Sequence, residues 1–254
     1  MALLEVTNLR RSFGGLVAVQ QVSFAVKAGQ IKAIIGPNGA GKTTLFNLIC
    51  GLLKPETGQI SFRGESLSGL EPYRVAQAGV SRTFQNPSLF PRLSVLENVM
   101  VGRHRRTCRE FFACAFRWPG QAREERAIRQ AALAQLEYIG LAYLAAYPAG
   151  GLAFGQRRMV ELGRALAAEP EMLLLDEPAS GLNTREKEEL GELIRKIRQR
   201  GITILLVEHD MSLVMGLSDE ILVMNNGMPI AEGPPAMVQN DPKVIGVYLG
   251  VTKE

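Results

Sequence analysis

The stretch GPNGAGKTT, residues 36–44, follows an apolar run, IKAII, and opens a helical one, KTTLFNLICGLL (42–53). It fits the spacing Gly-x4-Gly-Lys-Ser/Thr, with Gly36, Gly41, Lys42 and Thr43 at the fixed places. No other feature restricts the fold as tightly. Glycines let successive backbone N–H groups turn inward around phosphate oxygens, and the helix that follows adds the positive end of its dipole. A strand must therefore feed a helix through a tight loop. Gly36, Pro37, Asn38, Gly39, Ala40, Gly41, Lys42, Thr43 and Thr44 are predicted to form that phosphate cradle. Lys42 is placed to reach the β- and γ-phosphates, and the Thr43 hydroxyl to take one position on Mg2+.

A second constraint lies in MLLLDEP (172–178). The apolar run reads as a strand buried on both faces, and it ends in two carboxylates. Adjacent residues at a strand end point in different directions. Asp176 can then hold Mg2+, directly or through water, while Glu177 faces the γ-phosphate and polarises the attacking water as general base. An Asp-Glu-Pro turn at a strand end is common by itself. Beside a phosphate loop it reads as nucleotide chemistry.

The rest of the chain alternates strand and helix. LLEVTNL (3–9), VSFAV (22–26), GQISFRG (58–64) and VSRTFQ (80–85) read as strands, and ITILLVE (202–208) as a second buried one. TREKEELGELIRKIRQRG (184–201) is the clearest helix, with Leu190, Leu193, Ile194 and Ile197 on one face. Acids gather at its start and bases at its end, as the helix dipole favours, and Glu192 and Lys196 can pair at i, i+4 for roughly 0.2–0.5 kcal/mol. EILVMNNGMPIAEG (220–233) reads as a hairpin around Asn-Gly. Between about 86 and 165 strand signals vanish, and LSVLENVMVG (93–102) and AREERAIRQAALAQLEYIG (122–140) look helical. A helical subdomain inserted in an α/β core is expected: a nucleotide-binding core of 1–88 and 163–254, and a helical subdomain of 89–162.

Composition narrows the class. The chain has 254 residues, 46% hydrophobic and 21% charged, an ordinary globular profile. Its longest apolar runs are far too short to cross a bilayer, and MALLEVTNLRR lacks the basic-then-apolar order of a secretion signal. A cytoplasmic protein is expected, peripheral if it serves a membrane. Three Cys (Cys50, Cys108, Cys114) and two His (His104, His209) are too few and too scattered for a zinc pattern, so reduced thiols are expected. The net charge of +4 owes much to GRHRRTCR (102–109), which opens an Arg-rich, aromatic stretch of 102–118. That stretch has three readings, ranked in this order: a solvated, subunit-contacting loop, a lipid contact, or a nucleic-acid contact.

Taken in order, the phosphate loop, LAFGQ (152–156), MLLLDEP, ASGLN (179–183) and LLVEHD (205–210) resemble the motifs of an ABC-transporter ATPase subunit over nearly the whole chain. LAFGQ is the discriminating element, since many phosphate-loop proteins have the others. The resemblance implies an α/β P-loop NTPase fold of RecA-like core, with an antiparallel β subdomain and an inserted α-helical subdomain. It implies ATP and Mg2+ as ligands. It also implies a head-to-tail dimer in which Gly155 and Gln156, at a helix start, face the ATP held by a second subunit. Ala153 stands where the family has Ser, and Phe154 where it has Gly, so the signature would act through Gly155, Gln156 and the backbone. By the same resemblance Phe13 stacks on adenine, Gln85 lies near Mg2+ and the attacking water, and His209 contacts the γ-phosphate. Asn183 stands where Asp is common in the loop linking the two sites.

SFGGLVAV (12–19), the long helical insertion, VEHDM running into SLVMGLSDEI (207–221), and VIGVYLG (244–250) are similar to ATPase subunits of high-affinity branched-chain amino acid importers. That implies a second ATPase, a paralogue or an identical copy, and two transmembrane permease subunits docked between core and helical lobe near Gln85 to Leu96. It further implies a periplasmic or extracellular substrate-binding protein, a place on the cytoplasmic face of the membrane, and no nucleic-acid partner. The alternative is a soluble ABC-type ATPase uncoupled from transport. That class tends to carry two modules or a long inserted coiled coil, and neither is present. No Asn-Lys-x-Asp supports a GTPase.

Overall fold

The structure, a computed structural model, describes residues 2–83, 88–103 and 121–249. The expectations for Gln85, His104, Cys108, Cys114 and most of the basic stretch lie outside the described residues. The chain opens with β1 (Ala2–Phe13) and β2 (Leu16–Lys27), an antiparallel pair turning at Gly14–Gly15. Apolar alternation predicts only 3–9 and 22–26. The pairing carries register shifts at Leu9/Arg11 and Arg11/Ser12, and Asn8 and Gln21 lie at positive φ. Bulges break strict alternation, which hides the distal half of the hairpin.

β3 (Ile31–Ile35) feeds the phosphate loop and α1 (Lys42–Ile49). This helix stops short of the expected 53, because Leu53 N–H turns back onto Asn47 O at 3.1 Å. β4 (Thr57–Phe62) and β5 (Glu65–Ser66) complete a four-stranded antiparallel sheet of order β2-β1-β4-β5. α2 (Pro72–Gln77) leads into β6 (Val80–Arg82), then α3 (Val95–Val101), α4 (Gln121–Tyr138) and α5 (Phe154–Ala167). β7 (Met172–Asp176), α6 (Thr184–Gln199), β8 (Thr203–Val207) and α7 (Met211–Leu217) follow. β9 (Glu220–Asn225), β10 (Met228–Gly233), α8 (Pro235–Gln239) and α9 (Pro242–Leu249) end the described chain. The second sheet has the order β10-β9-β3-β8-β7-β6 and is parallel except for β10. Asn226 and Gly227 turn the β9–β10 hairpin with φ of 46° and 78°, as Asn-Gly turns do.

Strand periodicity divides the core. Ile34, Leu174, Leu205, Val207 and Leu222 face the antiparallel sheet and α1. Leu173, Leu175, Ile204 and Leu206 face α3, α4, α5 and α6, where Leu190, Leu193, Ile194 and Ile197 pack as their spacing predicts. Ala33, Ile35, Ile221 and Val223 meet α7, α8 and α9. α6 begins at Asn183, whose side chain accepts Glu186 N–H while Glu186 accepts Asn183 N–H. Its i, i+4 ion pair is Arg185–Glu189, at 2.9 Å. Glu192 and Lys196, the expected pair, form none among the described residues.

Lys32 breaks the apolar pattern of β3. It is fully buried, yet its ammonium is held from three elements. It donates to Ala25 O on β2 at 2.9 Å, to Glu220 on β9 at 3.1 Å and to Glu232 on β10, above the Phe24 ring. Both sheets are thereby pinned at one point. Removing one partner of such a set strands the others. Lys32→Ala is expected to lower unfolding free energy by about 3 kcal/mol, measured by urea titration. A loss under about 0.5 kcal/mol would show that the two glutamates simply turn to solvent.

Candidate nucleotide site

Three strands bring the predicted residues to one edge. In register, Ile34 of β3 and Asp176 of β7 both lie opposite Val207 of β8. Gly36, Glu177 and Glu208 therefore leave the carboxyl end of the parallel sheet side by side, where open α/β sheets bind ligands.

The loop between β3 and α1 is shaped by close backbone contact. Gly36 has φ 151°, and a Cβ there would lie 2.1 Å from Met224 O. Gly41 has φ 96°, and its Cβ would lie 2.1 Å from Ala18 O. No other residue fits either place. Gly41 is the N-cap of α1 and no side chain caps it. Lys42 folds back over the loop and donates to Gly36 O at 2.6 Å and Pro37 O at 3.0 Å. Burial lowers its pKa, against the fields of Glu177 and Asp176. A cleft of about 570 Å3 opens here, lined by Asn38, Gly39, Ala40, Gly41, Lys42, Thr43, Thr44 and Glu177, with Phe13 and Leu16 from the tip of the first hairpin. The Phe13 ring is 44% exposed, beside the Arg11 guanidinium. It presents an open aromatic face beside the loop.

Asp176 is 2% exposed and accepts from Arg82 Nη2 at 2.6 Å. Glu177 sits at φ 47°, an unusual backbone for a non-glycine residue. Strain of this size, about 1–3 kcal/mol, persists where surrounding structure imposes it and clusters at functional sites. Here the Glu177 N–H is fixed to Val207 O at 2.8 Å, and its carboxylate lies in the cleft, 3.9 Å from His209 Nδ1. The donors fit Mg2+. They are hard oxygens, the Thr43 hydroxyl and the Asp176 carboxylate, with the remaining positions left to phosphate and water. Among the described residues no cluster of three His, Cys, Asp or Glu offers a closed cage.

Gly155 and Gln156 do not line this cleft. They begin α5 on a separate surface, where a Cβ on Gly155 would lie 2.5 Å from Glu186 Oε1. Gln156 accepts Ala153 N–H at 3.0 Å. Phe154 lies on the ASGLN loop, so close that a Cβ on Gly181 would be 2.8 Å from its ring. The Arg158 guanidinium stands 5.3 Å from the same ring.

Three residues of the site escaped the sequence reading. Glu208, fully buried, accepts Ala179 N–H at 2.7 Å, His209 N–H at 2.9 Å and Asp210 N–H at 3.2 Å, so it ties the ASGLN loop to the histidine. Its place after an apolar strand was the available signal, because a lone acid there needs partners. Arg82 reaches Asp176 from the edge strand. Tyr248 on α9 takes a backbone hydrogen bond from Gly36, and burial raises its pKa in spite of that bond. A second cleft, about 440 Å3, lies between the α2–β6 segment and the helices α3 and α5. Val75, Val80, Arg82, Phe90, Val101 and Arg164 line it.

This fold, with a phosphate loop and a carboxylate pair on one sheet edge and a glycine-bearing helix start on another surface, defines an ATP-binding cassette. The chain belongs to the ABC transporter family, whose profile matches residues 19–180. A profile for branched-chain amino acid ATP-binding cassette transporters matches residues 229–254. The chain is similar to the high-affinity branched-chain amino acid transport ATP-binding protein BraF of Pseudomonas aeruginosa, 45% identical over 98% of both chains. It is equally similar to LivG of Escherichia coli, at 45% identity and the same coverage. Among solved structures it superposes on a nucleotide-free ATP-binding cassette from an ABC transporter with TM-score 0.86, 33% identity and full coverage of both chains. The ADP conformation of another such cassette gives TM-score 0.86 at 35% identity, covering 98% of this chain and 99% of that one. The protein is an ATPase of this class.

Two outcomes test the local geometry. Glu208→Ala leaves three backbone donors without their carboxylate and is expected to cost about 3 kcal/mol, read by denaturant unfolding. An unchanged midpoint would mean that the ASGLN loop and His209 are held by other contacts. Ala153→Ser supplies the oxygen that Gln156 N–H lacks at the α5 N-cap, completing a capping box. It should raise stability by about 0.5–1 kcal/mol, and a lower melting temperature would refute that geometry.

Proposed function

We propose that the chain is the ATP-hydrolysing, energy-coupling subunit of an importer for branched-chain amino acids. The observation that carries this reading is the pairing of a complete phosphate-loop cleft with a C-terminal segment matching the branched-chain amino acid profile. The 45% identity to BraF and LivG supports it along the whole chain. In this reading Phe13 stacks on adenine, and the amides of residues 36–44 hold the phosphates. Lys42 exchanges the carbonyls of Gly36 and Pro37 for phosphate oxygens. Thr43 and Asp176, with Gln85, would hold Mg2+, which when bound neutralises phosphate charge. Glu177, fixed by its backbone, takes the proton of the attacking water. His209 contacts the γ-phosphate.

The cleft holds half of a reaction centre. Gly155 and Gln156 lie on another surface of the chain and complete the site of a second ATPase, a paralogue in this reading. Two transmembrane permease subunits dock in the cleft between the core and the helical lobe of residues 89–162, lined by Phe90 and Val101. A substrate-binding protein outside the membrane delivers the cargo, and the chain works at the cytoplasmic face. No helix among the described residues is long and apolar enough to cross a membrane itself.

Glu177→Gln is expected to bind ATP as the wild type does, to lose at least about 100-fold in turnover, and to trap a dimer in sedimentation. Unchanged steady-state hydrolysis would remove Glu177 as base. In proteoliposomes with the assembled permease and binding protein, wild type should drive ATP-dependent uptake of labelled leucine and this variant should not. Absence of leucine, isoleucine and valine uptake by wild type would sink the cargo assignment.

A further inference from the structure

Arg82 ends the edge strand β6 opposite Leu174. Side chains two apart along a strand share a face, so Arg82 lies beside Asp176 and not beneath its neighbour. Its guanidinium spends its two ends on two elements. Nη2 donates to Asp176 Oδ2 at 2.6 Å, and Nη1 donates to Asn47 Oδ1 at 2.6 Å. The fork is 8% exposed, Asp176 is 2% exposed, and the Phe46 ring lies 5.6 Å from the guanidinium carbon. Asn47 is on α1 four residues after Thr43, which places the two on one face of that helix. Arg82 therefore joins, from behind, the helix that carries the Thr43 hydroxyl and the strand that carries the Asp176 carboxylate. It occupies Oδ2, and Oδ1 has no hydrogen bond among the described residues. Arg82 also lines the cleft between the α2–β6 segment and the helices α3 and α5.

We propose that Arg82 is a positioning residue that holds Asp176 and α1 at the separation a divalent cation requires. This rests on the reading of Asp176 and Thr43 as metal donors. Partners behind a metal ligand set its orientation and typically change metal affinity 10–100-fold when removed. The planar fork is essential to the role. A lysine keeps the charge, but its three donors converge on one nitrogen at the end of a shorter side chain, whereas Asn47 and Asp176 are held by the two separate nitrogens of a planar fork.

The test uses the purified full-length protein with ADP, and Mn2+ as the probe, its binding read by electron paramagnetic resonance. Arg82→Lys is expected to weaken Mn2+ binding in the ADP complex about 10–100-fold. Its ADP affinity in EDTA should stay within about twofold of wild type, a split that a general loss of structure would not produce. Asn47→Ala, which alters no charge, should shift Mn2+ affinity in the same direction by a smaller factor. Asp176→Asn is the reference and should lose Mn2+ about as severely as Arg82→Lys, or more. If Asp176→Asn binds Mn2+ weakly and Arg82→Lys binds it as wild type does, the positioning role is overturned. If Asp176→Asn binds Mn2+ normally, the metal assignment itself falls, and Arg82 with it. Should Arg82→Lys not fold, wild-type Mn2+ affinity in Asn47→Ala overturns the proposal.

Discussion

The phosphate loop keeps its curve because backbone presses on it from two sides. Ala18 O of β2 stands against Gly41, and Met224 O of β9 stands against Gly36. Gly227 N–H reaches Ala40 O at 3.2 Å, and Gln20 N–H reaches Gly227 O at 2.8 Å. The loop is thus gripped between the first hairpin and the β9–β10 hairpin, which come from opposite ends of the chain. The start of α1, with Lys42 and Thr43, takes its position from that grip. The hairpin that presses on Gly41 also carries Phe13 to the mouth of the cleft. Lys32, buried one strand-length away, fastens β2 to β9 and β10. A buried ammonium is a poor source of net stability, but it fixes how the two gripping elements sit.

Acid accumulates on this edge, and its compensation organises the site. Asp176, Glu208 and Glu161 are all buried. Asp176 has Arg82, Glu208 has three amides, and Arg158 lies in the combined field of Glu161, Glu208, Glu177 and Asp176, which opposes the lowering of its pKa by burial. Charges left unpaired at this depth would be expensive. Each partner comes from a different element: β6, the ASGLN loop, the His209 turn and α5. Neutralising the acids therefore also aligns those elements. Cys50 marks the apolar limit of this network. Its thiol is pushed up to about 11 by burial, although Arg82 is close enough to oppose the shift.

Motif and periodicity were enough for the phosphate loop, the buried strands and α6, because those signals are local. IKAII, MLLLD and TILLV are continuous apolar runs with no other home than the middle of a parallel sheet. Two kinds of feature were not legible. Apolar alternation stops before the tip of the first hairpin because Arg11 and Ser12 pair across register shifts. The contacts of Arg82, Glu208 and Tyr248 join residues 94, 29 and 212 positions from their partners, and no spacing rule reports a contact that only the sheet order creates. Glu192 and Lys196 illustrate the converse. Their spacing permitted a pair, and Arg185 with Glu189 formed it instead, since an exposed helix pair gains too little to be decided by spacing alone.

LAFGQ carries the last step. Replacing a small residue by Phe154 gives this helix start something a glycine lacks, a ring that rests on Gly181 of the ASGLN loop. That loop is tied through Ala179 to Glu208, and Glu208 to the His209 N–H. The start of α5 is therefore linked by direct contacts to the turn that carries His209. The departure from the family pattern then reads as an exchange. The serine hydroxyl at position 153 is absent, and the Phe154 ring packs on the ASGLN loop in this chain.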